Sequence, residues 1–376
     1  MKHLILGPVV FLAGEHYDIV WTTYEKGAAW VEVGGKKYYD AITGIVRSDD
    51  TVHKVSVPQS ELDKARKYEI SFLQVFERKA YFPITAEVAE SKKYDFCPVP
   101  ENPNIYVVGD AHGCVDTAAE TGMFYGDKLN LLVLNGDVAD NNTVEQLGEV
   151  VDLAHRITFG ELPVVYVRGN HDIRGAASVM LNRYAGTDNG QFYFDFNAGN
   201  VYGIVLDCGE DKVDSHKEYG GLCAFDEYRK QQIKFLDEIL GKKKYLDFDR
   251  ILVFCHIEPQ AEGNINMSDI YLQWIKRLNI LKPDIMICAH EHIIKYFPPK
   301  STFFEKGEIG FPVFVGSIFD EEWKRDICVL NDFAGTAVNF ENDGLHLRVT
   351  GPEKNVIEQK TVQYASINVF NKAYYN

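Results

Sequence analysis

The chain has no apolar run long enough to span a bilayer, no C-x-x-C pair, no internal repeat and no basic cluster. Each absence excludes something. A transmembrane helix needs about 20 consecutive apolar residues, so no membrane span is expected. The formal charge is −16, from 39 Lys and Arg against 55 Asp and Glu. A protein that coats nucleic acid displaces counterions with Lys and Arg, so that class is excluded. Seven cysteines (Cys97, Cys114, Cys208, Cys223, Cys255, Cys288 and Cys328) make an odd number without disulfide spacing. Cys208, Cys255 and Cys288 lie in apolar runs, where a free thiol behaves as a small buried hydrophobe. A reducing, cytoplasmic compartment is expected. Residues 4–13 are apolar after Lys2, but Gly7-Pro8 interrupts them and no small-x-small cleavage site follows. The segment is read as a first strand rather than a signal peptide.

What is present is ordinary globular composition, 46% hydrophobic and 25% charged, over 376 residues. That length favours two domains. Residues 1–97 read as an all-β sandwich, with strands expected over 18–24, 28–33, 37–41, 53–57 and 68–75. Trp21, Trp30, Tyr38 and Tyr39 are expected in its core. A Pro-rich linker follows at 98–103, and a second domain is expected over 104–376. There, near-continuous apolar runs at 105–108, 129–134, 164–167, 201–206, 251–255, 284–288 and 311–315 read as buried strands. Helical spacing is expected over 143–158 and 226–240, the latter burying Phe225, Tyr228, Ile233, Leu236 and Leu240. From Asp326 the pattern returns to β, with a hairpin at Asn342-Asp343-Gly344.

Five motifs stand at the ends of apolar runs: Gly109-Asp110-Ala111-His112-Gly113, Gly136-Asp137-Val138-Ala139-Asp140-Asn141, Gly169-Asn170-His171-Asp172, Cys255-His256 and Ala289-His290-Glu291-His292. Ligands of open α/β sheets bind outside the carboxyl ends of strands, so these motifs are expected to converge. Asp, Asn and His together suit transition metals, and a shared carboxylate can bridge two ions about 3.5–4 Å apart. A single Gly-Asp is usually a turn, and a lone His in an apolar run is usually core. Five such motifs in this order are hard to obtain by chance.

On these motifs the sequence resembles the calcineurin-like metallophosphoesterase superfamily, over roughly residues 104–320. The resemblance implies an α/β (α+β) fold, a two-sheet βαβ sandwich flanked by helices. It implies that Asp110, His112 and His292 hold one metal ion, that Asn170, His256 and His290 hold a second, and that Asp137 bridges them. Mn, Fe or Zn would serve. His171 would act beside the ions, oriented by Asp140, and Arg168 would approach the phosphate. Ala289 stands where the family usually has Gly, and Asn141 where its protein-phosphatase branch has Arg. The order of the two domains resembles that of purple acid phosphatases, with a fibronectin-type-III-like first domain. Asp140 replaces their iron-binding Tyr, so tyrosinate colour is not expected.

The expected reaction is hydrolysis of a small phosphoester, phosphatase or phosphodiesterase, by a hydroxide shared between two ions, with His171 protonating the leaving oxygen. Loops 211–225 and 301–310 would flank the site, with His216 and Tyr219 as candidate substrate contacts. The alternative is a non-catalytic scaffold with a vestigial metal site, its partner bound through the amino-terminal strands. None of the seven expected ligands is missing, which weighs against it.

Overall fold

The computed structural model describes residues 1–41, 44–318 and 333–364. Cys328 and the start of the expected β tail, 326–332, lie outside them. The apolar runs do become inner strands. Ile105–Val108 (β8), Leu131–Asn135 (β9) and Pro163–Val167 (β10) pair in parallel in one sheet. Every residue of all three is buried. That double-sided burial explains why their sequences do not alternate. A second sheet of six strands runs β11-β12-β13-β14-β18-β15. It comprises Phe194–Ala198 (β11), Val201–Val205 (β12), Arg250–Phe254 (β13), Ile285–Cys288 (β14), Ile294–Phe297 (β15) and Val313–Gly316 (β18). Between β15 and β18, Ser301–Phe303 (β16) and Gly307–Ile309 (β17) form a small hairpin in the stretch expected as a loop.

The two sheets face each other across one apolar core that joins Val107, Val133 and Val165 to Val205, Phe254 and Ile287. Helices Val115–Gly122 (α2) and Gly148–Thr158 (α3) cover the outer face of the first sheet. Helices Phe225–Lys242 (α4) and Ser268–Leu281 (α5) cover that of the second. The fold is a two-sheet α/β sandwich flanked by helices. Each fully buried Val, Leu or Ile contributes about 1.5–3 kcal/mol. The chain closes with Gly335–Glu341 (β19), Gly344–Thr350 (β20) and Val356–Val362 (β21). β19 and β20 form the expected hairpin, with Glu341 opposite Gly344.

Two details differ from expectation. α3 begins at Gly148 rather than 143, because Asn142 is tied to the loop beyond β10, its N–H donating to Arg174 O at 2.9 Å. α4 buries Arg229 and Gln232 beside Phe225, Leu236 and Ile239, whereas Tyr228, Ile233 and Leu240 are only partly buried. The buried stripe is turned towards two polar residues, whose use appears at the site.

The amino-terminal part is all-β apart from the short helix Gln59–Ala65 (α1). Its strands are Leu4–Ala13 (β1), His16–Val33 (β2), Lys36–Tyr39 (β3), Asp50–Pro58 (β4), Lys67–Glu77 (β5), Ile84–Thr85 (β6) and Glu90–Asp95 (β7). β2 serves two sets of neighbours. Its first half pairs with β1 and β4, its second with β3 and β5, and the register with β4 shifts between Thr22 and Gly27. Trp21 is fully buried, whereas Trp30 and Tyr38 are half-buried and Tyr39 is exposed with Arg47 over its ring. β1 also pairs in parallel with β10, Val10 opposite Pro163 and Phe11 opposite Val164. The Pro-rich stretch 98–103 separates the two parts in sequence, while hydrogen bonding and core run through both. Buried charge pairs add to this seam. Lys54 Nζ lies 2.9 Å from Asp18 Oδ2 and donates to Ala185 O at 2.8 Å, and Arg183 Nη2 donates to Asp40 Oδ2 at 2.7 Å.

Candidate metal centre

The five motifs follow β8, β9, β10, β13 and β14 directly, so all emerge at the carboxyl edges of the two sheets. The backbone there is unusual. Asp110, His112, Asp137, His290 and His292 have φ between 44° and 73°, the left-handed region that L-residues seldom occupy. Such residues cost energy and persist where their surroundings over-determine them. Hydrogen bonds do so here. His112 N–H donates to Asp137 O at 2.9 Å, and Asp110 N–H to Gly136 O at 3.1 Å. Ala289 N–H donates to His256 O at 2.8 Å. The loops are also too close for side chains: a Cβ on Gly169 would stand 2.2 Å from Asp137 Oδ1. Ala289 fits where it does because Gly109 faces it; a Cβ on Gly109 would meet that of Ala289 at 2.8 Å.

The candidate ligand atoms gather in overlapping groups. Those of Asp110, His112 and His292 lie within 4.8 Å of one another, as do those of Asp137, His256 and His290. A third group overlaps both and brings His171 within the same distance of His112 and Asp137. Asp137 Oδ2 is 3.1 Å from His256 Nε2 and 4.0 Å from His112 Nε2, so one carboxylate reaches both groups. His256 Nδ1–H is used on Asn135 O at 2.7 Å, which turns the Nε2 lone pair towards the carboxylates. The Asn170 amide oxygen stands 3.1 Å from His290 Nδ1, 3.2 Å from His256 Nε2 and 3.1 Å from Asp137 Oδ2. An amide turned over would donate to these atoms instead. The oxygen-inward orientation is the one a cation needs. In the other group His112 Nε2 and His292 Nε2 face each other at 3.2 Å. Acceptors converging on acceptors in a buried place are costly unless positive charge lies among them. The residues present therefore fit bound cations.

Proton affinities follow the same logic. Burial alone would lower the His256 pKa, but Asp137 and Asp110 outweigh it and raise it well above the ordinary 6.5. Burial together with His256 lowers that of His290 to about 4. Burial and the Asp137 carboxylate push Asp172 up to about 6. Asp172 Oδ2 accepts from Asp137 N–H at 3.0 Å and Gly169 N–H at 2.8 Å, locking two motifs together. Ser317, just beyond β18, donates to Asp110 Oδ2.

His171 stands beside both groups; its N–H donates to Asp137 Oδ1 at 2.8 Å. Its Nδ1 is 2.7 Å from the backbone oxygen of Asp140 and 3.5 Å from Asp140 Oδ1, so the peptide carbonyl is the nearer partner. Its Nε2 accepts from Arg174 Nη1 at 2.9 Å. The structure does not bring Arg168 to this cluster. Its Nη2 is 2.8 Å from the buried Asp207 Oδ2, and its guanidinium lies over the rings of Phe192 and Tyr228. His216 caps a short turn, Nδ1 accepting from Glu218 N–H at 3.4 Å. Tyr219 is buried, and its hydroxyl donates to Glu210. Sequence reasoning singled out neither Arg174, Glu210 nor Ser317 for the site. Ser317 lies two residues past the expected run at 311–315, a strand end that could have marked it. Arg174 and Glu210 lie in loops with no pattern of their own.

The chain belongs to the calcineurin-like phosphoesterase family, whose model matches residues 103–293. No curated protein matches it. Among solved structures it is similar to the purple acid phosphatase PPD1 from yellow lupin (Lupinus luteus) seeds, at 13% identity and a TM-score of 0.60. That match covers 98% of this chain and 74% of the other, so the likeness includes the amino-terminal strands. A structure of PhoD aligns over 96% of this chain and 88% of its own at 12% identity and a TM-score of 0.49. Among the described residues no helix is long and apolar enough to cross a membrane.

Proposed function

We propose that this chain hydrolyses phosphoric esters at a site for two cations. Asp110, His112 and His292 would hold one, Asn170, His256 and His290 the other, and Asp137 would belong to both. The supporting observation is the convergence of lone pairs in two groups that share one carboxylate. The donor set suits Mn, Fe or Zn. Bound there, the ions supply deprotonation of water near neutral pH and neutralisation of phosphoryl charge.

The chain's own residues do the rest. Asp172 and the left-handed turns hold the ligands in place before substrate arrives, which is the form of preorganisation that electrostatic catalysis needs. His171 keeps its Nδ1 proton on the Asp140 carbonyl and so presents Nε2 as the atom that exchanges a proton with the leaving oxygen. Burial pulls its pKa below the ordinary value, so at neutral pH Nε2 is an acceptor, and the proton it would pass to the leaving oxygen is one it must first take up.

The test is a substrate panel after reconstitution with Mn, Fe or Zn, comparing nitrophenyl phosphate with bis(nitrophenyl) phosphate. Metal-dependent hydrolysis of either supports the reading. A chain that binds none of these metals and hydrolyses neither ester contradicts it and favours a scaffold role. His171→Ala should keep the metals and slow turnover by about 10²–10⁴-fold on an ester with a poor leaving group. Full activity there would remove His171 from the mechanism.

A further inference from the structure

Opposite the ligand groups, the order of donors and acceptors is reversed. With the Asn170 oxygen turned inward, its NH2 faces Arg174 Nη2 at 3.1 Å, donor against donor. Arg174 Nη1 meanwhile donates to His171 Nε2 at 2.9 Å. Two donors, the Asn170 amide and the Arg174 guanidinium, thus border one place at the edge of the metal centre. Facing acceptors mark a place for a cation, and facing donors mark one for an anion.

Arg174 is held there by a built support. Its Nη2 donates to Glu210 Oε2 at 2.8 Å, and Glu218 Oε1 is 3.6 Å away. Glu210 is fully buried and also accepts from the Tyr219 hydroxyl. The loop carrying Glu210 is gripped by the two polar residues that α4 buries. Arg229 Nε donates to Cys208 O at 2.9 Å, and Arg229 Nη2 to Glu210 O. Gln232 Oε1 accepts from Asp207 N–H at 2.9 Å. Burying an arginine and a glutamine in a helix is expensive unless every bond is used. Here they fix the loop, the loop fixes Glu210, and Glu210 holds Arg174 Nη2 while Nη1 reaches His171 beside the ligand groups.

We propose that Arg174 receives the phosphoryl oxygens of the substrate and biases the site towards phosphomonoesters. The assignment rests on the phosphoester reading above. A monoester carries three unsubstituted oxygens and up to two negative charges; a diester carries two oxygens and one charge. A guanidinium beside the cations adds more to binding the former, because charge-assisted bonds grow with the charge on the acceptor.

The experiment compares the metal-loaded full chain with Arg174→Gln and Arg174→Lys. Affinity for inorganic phosphate is measured by calorimetry, and kcat and KM are measured on both nitrophenyl esters. Arg174→Gln should weaken phosphate binding by about 10- to 100-fold. It should lower kcat/KM on the monoester by at least as much and on the diester by less than about 10-fold. Metal content should be unchanged, and Arg174→Lys should recover part of the loss. Unchanged phosphate affinity, or equal losses on the two esters, would overturn the assignment and leave Arg174 as a prop for His171. A wild-type chain that hydrolyses neither ester but binds phosphate, and loses that affinity in Arg174→Gln, would sink the hydrolase reading and leave Arg174 standing. A wild-type chain that binds no phosphate would overturn Arg174 itself.

Discussion

The amino-terminal strands and the carboxyl edges of the two sheets bury charge in opposite ways. Near the amino terminus each buried acid meets a base: Asp18 has Lys54, and Asp40 has Arg183. At the sheet edges, acids and imidazoles crowd together with no Lys or Arg among them. The first arrangement is complete with the polypeptide alone. The second is complete only with positive charge added. One region is therefore built for stability, and the other keeps a deficit that binding can fill.

Variants can break this contrast from either side. The largest effect is expected at Asp137, whose carboxylate is within reach of both groups. Asp137→Ala should lower kcat/KM more than about a thousandfold and leave fewer than two ions per chain by elemental analysis. Full metal content would show that the carboxylate is not shared.

Lys54→Met tests the other side. It leaves Asp18 buried without its lysine, with His16 and Ser56 still in place, and removing one member of a buried pair costs about 3 kcal/mol or more. The carboxylate's pKa is held at about 2 because His16 and Lys54 outweigh burial. Denaturant unfolding should show the loss, with metal content unchanged. Loss of metal instead would mean that the seam also shapes the site.

His53 gives a pH signature of the amino-terminal region. It is fully buried between Trp21 and Phe72, with Thr23 Oγ1 at 2.9 Å from its Nε2. Burial lowers its pKa to about 4. The unfolded chain takes that proton near 6.5, the folded chain only near 4. The stability this supplies is complete above pH 6.5 and is lost as pH falls through 4, about 3 kcal/mol in all. Wild type should therefore lose more stability than His53→Gln between those pH values; parallel curves would contradict it.

The smallest effect is expected from Ala289→Gly. Ala289 Cβ occupies space that Gly109 leaves open, so stability should change by less than about 1 kcal/mol with kcat/KM unaltered. A large change would make that contact part of the site's support.

The contrast also explains what the sequence discloses. The candidate site residues are legible because runs buried on both faces read as inner strands, and a polar motif after such a run falls at a sheet edge. Asp110, Asp137, Asn170, His256 and His290 all follow that rule. The pairing of β1 with β10 is not legible, since Val10 and Pro163 meet across more than a hundred and fifty residues with no local signature. Arg174, Glu210 and Tyr219 are brought together by loop conformation, which residue pattern does not encode. Tyr219 looks like a substrate contact in sequence and is a buried support in the fold. The buried Arg229 and Gln232 reverse the usual rule for a helix face, because they hold backbone rather than fill a core.

The most direct test is metal stoichiometry with its effect on stability. The chain is stripped with a chelator, reconstituted, dialysed, analysed for bound metal and melted. The account predicts two ions per chain and a Tm that rises on loading in wild type and much less in Asp137→Ala. One ion or none per chain, or a Tm indifferent to metal, would contradict it.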